Sequence, residues 1–445
     1  MLDPVAFIHQ MQWADVPTPA QERLHMCLLD LLGVAAGGLA LPMSAIVRDH
    51  AALDLRGEVP ILFDGRGALV SGAAMAGAMS IDALDGHDGY NPSKGHVGCT
   101  LVPALLALAH GRTVAGAAFL SALAMGYEFG SRVAEAQHGT CPDYHTSGSW
   151  GAVTVAAAGA RLLGLDHDTT RHALGIAEYH GPRSQMMRVI DSPTMLKDGA
   201  WGALAGISAL QLAMRGMTGA PALTVEDCPA YWADLGQDWK ILKQYFKPYP
   251  VCRWAHAPVE AVLELRDAHR LDPAAVSRIE VESFHESIRL ATAEPKTTEE
   301  AQYSTSFPCA VALVHGAVLP EHLHGAALQH AEVLRLSRGL VMAETQTAND
   351  LFPGKRIARV RLRLHDGRCL ESDWKTPKWD WQDAPTAQDI RGKFDTLARP
   401  ALGTERADAI AAAVAKLGTG PLSRLGDLLY AAPINRATSA GSSDK

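Results

Sequence analysis

The chain has 445 residues, 48% hydrophobic and 20% charged, an ordinary balance for a globular protein with room for two cores. A formal net charge of −8 argues against nucleic-acid binding, which needs a basic face, though it does not exclude a local cationic pocket. No secretory pattern opens the sequence, no apolar run of about 18 residues could span a bilayer, and the seven cysteines include no CxxC pair. The expectation is a cytoplasmic protein with reduced thiols, no membrane contact and no structural metal site.

In chain order, residues 21–36 carry apolar side chains at helical spacing and predict an amphipathic helix ended by Gly37 and Gly38. Segments 68–81, 114–129, 150–163 and 199–215 are rich in Ala, Gly and Met. Small residues let helix axes approach closely, so these predict interior helices of a bundle. Near Arg266 the character changes: the polar, proline-ended stretch 266–273 suits a linker, and 276–284 alternates like a half-buried strand. Segments 359–364 and 368–372 flank Asp366-Gly367, predicting a hairpin closed by a type I′ turn. Two helix-like pieces, 304–318 and 324–336, lie between, helical pattern returns over 405–416 and 422–431, and the polar tail 436–445 is expected to be disordered. The fold class is mainly α: a large discontinuous helical bundle domain, residues 1–266 and 400–445, interrupted by a smaller α+β domain, residues 267–399.

The segment 82–107 stands apart. It packs Asp82, Asp85, His87, Asp88 and His96 into a Gly-rich stretch just before the apolar run 100–109, which predicts a buried helix. Titratable groups at the edge of a low-dielectric wall suit proton transfer; a solvated acidic loop with two unrelated histidines would read the same. Glycine-rich dinucleotide, Walker, HExxH and GxSxG motifs are all missing, and Gly148-Ser149-Trp150-Gly151 lacks the nucleophile-elbow spacing.

Four other clusters lie beside apolar helices. Tyr144 to Gly148 precedes one of them and offers either an anion site at a helix N-terminus or plain capping by Thr146 or Ser147. Lys197, flanked by Met195, Leu196 and Trp201, is either a half-buried cation for a carboxylate or an exposed helix-start lysine; Arg183 and Arg188 lie upstream. Residues 247–256 offer Lys247, Tyr249, Arg253 and His256, as a carboxylate clamp or as a proline-shaped surface loop. Tyr303, Ser304 and Ser306 open a helix in the second part, where capping is the simpler reading. Taken together, several cations and histidines suit a small polycarboxylate and proton abstraction beside a carboxylate.

Five blocks in order resemble the MmgE/PrpD family: Ala83-Leu84-Asp85 with His96-Val97-Gly98 and Val102-Pro103-Ala104-Leu105; His145-Thr146-Ser147-Gly148; Lys197 before its Gly/Ala helix; Lys247-Pro248-Tyr249-Pro250 with Arg253 and His256; and Ala301-Gln302-Tyr303-Ser304. The resemblance covers nearly the whole chain. It implies a discontinuous helical domain with a smaller α+β domain, an active site between them, no cofactor and usually a homodimer; no metal ligands are assigned. The chain departs from the family's dehydratases and decarboxylases at His87-Asp88-Gly89, where relatives often carry Asp-Asp-Thr, at Val97 in place of proline, and at Phe307 in place of tyrosine. Lost hydroxyls and a gained imidazole lean toward an epimerase of an iminodisuccinate-like polycarboxylate, with one base on each face of a carbon alpha to a carboxylate. On that reading Lys197, Lys247 and Arg253 bind carboxylates, supported by His256, Arg188 and Tyr303. The acid–base set is drawn from His96, His145, His87 and Tyr144, with Asp85 beside them. Alternatives are a lyase of the family (a dehydratase of 2-methylcitrate or a decarboxylase of cis-aconitate), a non-catalytic anion-binding protein, and a metal enzyme using Asp82, Asp85, His87, Asp88 and His96.

Overall fold

The computed structural model describes residues 3–141 and 143–434, so the expected disorder of 436–445 lies outside the described residues. The first core is a helical bundle containing α1 (Thr18–Gly38), α2 (Val70–Leu84), α3 (Gly98–Ala109), α4 (Gly116–Thr140), α5 (Ser147–Leu163), α6 (His167–His180) and α7 (Ala200–Ala213). Every residue of α3 is buried, as an all-round apolar helix requires. The small-residue stripes set the packing distances. A Cβ on Gly202 of α7 would stand 2.7 Å from the Gly148 carbonyl oxygen of α5, and one on Gly206 would stand 2.6 Å from that of Ala152. Only glycine allows these two helices to touch backbone to backbone.

The second core contains α8 (His256–His269), β1 (Val276–Ser283), α9 (Ser306–His315), α10 (Ala331–Arg338), β2 (Val341–Glu344), β3 (Arg359–Leu364) and β4 (Cys369–Glu371). Its sheet runs β2-β1-β3-β4, with β2 parallel to β1 and the remaining pairs antiparallel. A register shift between Val276 and Arg278 turns both Val276 and Ile279 inward, after which Val281 and Ser283 keep the two-residue alternation. The chain then returns to the first core through α11 (Ala387–Leu402) and α12 (Thr404–Ala415). Ile390, Phe394 and Leu397 of α11 join that core, and the helix lies along α1.

Several local expectations are corrected. The polar stretch at Arg266 is the last turn of α8, stopped by Arg270 in the left-handed region (φ 47°); a helix whose inner face carries Val259, Val262 and Leu265 can end in polar residues without a linker. The Asp366-Gly367 hairpin is not type I′, because only Gly367 has positive φ (90°). The Gly367 N–H donates to the Leu364 carbonyl at 3.1 Å and the Leu364 N–H to the Arg368 carbonyl at 2.9 Å, the pattern of a one-residue bulge. Strand β2 and helix α11 were not anticipated. Among the described residues no single helix is long and apolar enough to cross a membrane.

Candidate active site

Helix α2 ends at Asp85, a non-glycine residue in the left-handed region (φ 53°, ψ 34°). The chain then crosses to Gly89–Tyr90, which pairs antiparallel with Gln244–Tyr245. That short ladder brings the loop of Asp85, His87 and His96 against Lys247, far away in sequence. Lys197 and Asp198 arrive from the turn before α7, while Tyr303 and Arg356 come from the second core. All of these line one cavity of about 40 Å³.

The electrostatics are dominated by buried charge. Lys247 Nζ donates to Asp85 Oδ1 at 2.8 Å and to the Asp85 carbonyl at 3.0 Å. Burial works against both ions, but Lys247 and Lys197 hold the Asp85 carboxyl below its usual range and Asp85 holds the Lys247 ammonium above its own. Lys197 Nζ donates to Gln302 Oε1 at 2.8 Å and sits 4.7 Å from the centre of the Tyr303 ring; burial lowers its pKa. Gln302 also donates to the Ala83 and Leu84 carbonyls at 2.9 and 3.1 Å, taking up two carbonyls left open at the end of α2. The second core thus holds both Lys197 and the start of the loop.

His96 is oriented through one nitrogen. Its Nδ1 lies 2.5 Å from the Asp88 carbonyl, which can only accept, so Nδ1 carries the proton and Nε2 of the neutral ring holds a lone pair. Burial, then Lys247, pushes its pKa down to about 4. His87 packs against it with ring centroids 4.2 Å apart. Neither nitrogen of His87 has a hydrogen-bond partner among the described residues, and burial with His96 holds its pKa well below 6.5. Three neighbouring carboxyls are raised by burial: Asp82 to about 6, and Asp88 and Asp198 to about 7. Asp82 accepts the Gly199 and Ala200 N–H groups at the start of α7, and Asp88 accepts the Tyr127 hydroxyl at 2.8 Å.

Of the sequence candidates, the cavity gathers Asp85, His87, His96, Tyr144, Lys197, Lys247, Arg253 and Tyr303. It does not gather His145, His256 or Arg188. His145 bridges to Gln185 and turns its Nε2 to Arg183, 3.4 Å away. His256 is buried with Nε2 3.1 Å from the Val251 carbonyl, and Arg188 is exposed on the outer face of a short helix, Met187–Asp191. Tyr144 lines the wall but donates its hydroxyl to the Lys94 carbonyl at 2.7 Å. At the start of α5 the anion is the protein's own: Asp198 accepts the Ser147 N–H and, at 2.5 Å, its hydroxyl. Ser304 caps α9, accepting the Phe307 N–H at 3.0 Å.

Sequence reasoning missed Lys94, Asp198, Tyr245, Gln302 and Arg356. Asp198 and Gln302 are chain neighbours of residues already singled out, and Tyr245 lies two before Lys247. Arg356, in a Gly/Lys loop of the second core, carried no local signal.

Asp82, His87 and Cys99 bring an oxygen, a nitrogen and a sulfur within 4.8 Å of one another. They suit a cation poorly. Burial keeps the Cys99 thiol protonated, and the charges of Lys197 and Lys247 bear on the same spot.

Two family models match the chain: the MmgE/PrpD N-terminal domain over residues 5–233 and the MmgE/PrpD C-terminal domain over residues 249–419. The chain belongs to the MmgE/PrpD family. Similar proteins include a cis-aconitate decarboxylase of Aspergillus terreus, 25% identical over 86% of each chain. The cis-aconitate decarboxylase-like protein oryM of Aspergillus oryzae is 25% identical over 93% of each. The junction between the two MmgE/PrpD models, residues 234–248, holds the Gln244–Tyr245 ladder and Lys247, which join the loop to the rest of the cavity wall.

Proposed function

We propose that this protein is a lyase that decarboxylates a polycarboxylate of the cis-aconitate type, with proton transfer at carbon through His96. The observation that carries this reading is the His96 ring, fixed through Nδ1 by the Asp88 carbonyl while Nε2 lies in a wall shared with Lys94, Lys197, Lys247, Arg253 and Arg356. A bound polyanion offsets the Lys247 field that depresses His96, so its pKa rises on binding and Nε2 takes up a proton. The C–C bond to one carboxylate then breaks and CO₂ leaves. The electron pair stays on the remaining unsaturated acid, and His96 Nε2–H delivers the proton to carbon. Lys197 and Lys247 hold the carboxylate onto which charge spreads. The names of the relatives at 25% identity support cis-aconitate as the substrate class.

Epimerisation of an iminodisuccinate-like acid is the second reading, favoured by the additional imidazole of His87, whose nitrogens make no hydrogen bond among the described residues and whose Nε2 lies 3.4 Å from Asp82 Oδ1. The His87 and His96 rings are in contact, however, so they serve one face of a substrate. The opposite face would then fall to Lys197, whose pKa burial lowers.

Proton NMR in D₂O with cis-aconitate, 2-methylcitrate and iminodisuccinate separates the readings. New methylene-alkene signals with CO₂ release from cis-aconitate are expected. Loss of an α-proton with new diastereomer peaks from iminodisuccinate, and no CO₂, would transfer the assignment to the epimerase reading.

A further inference from the structure

The cavity wall carries two arginines besides its lysines. Arg253 and Arg356 are 4% and 7% exposed, and the Nε of each is buried without a hydrogen-bond partner among the described residues. Arg253 lies over the Tyr245 ring at 4.5 Å and spends Nη1 on the Phe246 and Lys378 carbonyls, at 3.0 and 2.9 Å. Its nearest carboxylate is Asp380, 3.7 Å from Nη2. Arg356 has no carboxylate partner among the described residues; its Nη1 donates to the Asn91 side-chain oxygen. Asn91 in turn donates to Asp380 at 3.2 Å. Arg253 therefore has one loose ion pair, at 3.7 Å, and Arg356 has none among the described residues, whereas Lys247 has Asp85 in direct contact. Burying a cation without a close anion is costly, and a guanidinium fork suits a carboxylate.

We infer that Arg253 and Arg356 form a second carboxylate subsite, which takes a carboxylate other than the one held at Lys197 and Lys247. Resting on the polycarboxylate reading, this specifies a substrate with carboxyl groups at both ends of a chain of a few carbons. Asn91 occupies Arg356 until such a carboxylate displaces it. Because Asn91 lies within the loop of Asp85, His87 and His96 and Arg356 adjoins the second core, occupancy of this subsite bears on both cores.

Calorimetry with two probes of equal length tests this: glutarate, and 4-carbamoylbutanoate, in which one carboxylate is an amide. The wild-type protein should prefer glutarate by at least roughly tenfold, as a lost charge-assisted contact implies. Arg356→Gln should bring the ratio to within about twofold, and Asn91→Asp, which supplies a resident carboxylate without removing a cation, should do the same. The ratio is an internal control, since damage to the fold weakens both probes together. An unchanged preference in both variants would overturn the subsite and leave the polycarboxylate reading standing. A wild-type protein that binds neither glutarate nor tricarballylate would overturn both.

Discussion

At the scale of single residues, His96 separates the two chemistries through pH. An acid must be protonated to act and a base must not be. With the free-enzyme pKa lowered to about 4, decarboxylation with His96 as donor gives a kcat/KM that falls as pH rises above about 4, and a kcat whose limb lies higher because bound polyanion raises the group. Epimerisation with neutral His96 as base gives a kcat/KM that is flat above about 4 and falls below it. His96→Asn should lower kcat by roughly 10²–10⁴ with the affinity for tricarballylate little changed. Lys247→Met leaves Asp85 buried without its ion partner and should cost about 3–5 kcal/mol in denaturant unfolding, with much of it regained by adding Asp85→Asn. Residues such as Asp85, Lys197 and Lys247 could be read from the chain because they stand in distinctive local blocks. Arg356 and the role of Gln302 could not, because their meaning comes from what the second core touches. His145 shows the converse, a conspicuous histidine that folding turns toward Arg183.

At the scale of elements, small-residue stripes were the most readable signal, since they record how close two axes come. Gly202→Ala pushes a methyl group into the Gly148 carbonyl and should lower stability by about 1–3 kcal/mol, seen as a reduced Tm, whereas Ala at Gly392, with nothing within 4 Å, should be neutral or stabilising. Strand β2 escaped notice because Val341–Glu344 is short and mostly exposed, and gains its strand character only from pairing in parallel with β1. Helix α11 did carry a signal: Thr386 and Asp389 cap one another's backbone N–H groups, the reciprocal box that opens many helices. The hairpin shows a finer limit, where Asp366-Gly367 marked the turn but not which of its residues takes positive φ.

At the scale of the whole molecule, two sets of buried groups bind protons in opposite senses. Asp82, Asp88 and Asp198 are raised by burial, so they add stability that is present at low pH and lost as pH rises through about 6 to 7. His87, His96 and His256 are lowered by burial, so they add stability that is present above about 6.5 and lost as pH falls toward their folded values. Glu128, raised by burial to about 7, joins the first set and His138, lowered to about 4, the second; the two sets oppose one another, and the apparent Tm should be nearly level between about pH 5 and 6.5, then fall steeply below about pH 4. A steady slope across that window would show that one set dominates. The discontinuous first core has a different consequence, in time. Helix α1 packs along α11, some 360 positions later in the chain. At ribosomal speeds of roughly 5–20 residues per second, α1 leaves the exit tunnel about 20–70 seconds before its partner is made. Throughout that interval Leu31, Leu32 and Val34 belong to a core that lacks its α11 members. A nascent chain of this design should depend on chaperone holding more than one whose core closes in order, and pulse-labelled chains stalled before α11 should be the ones that trigger factors and Hsp70 retain.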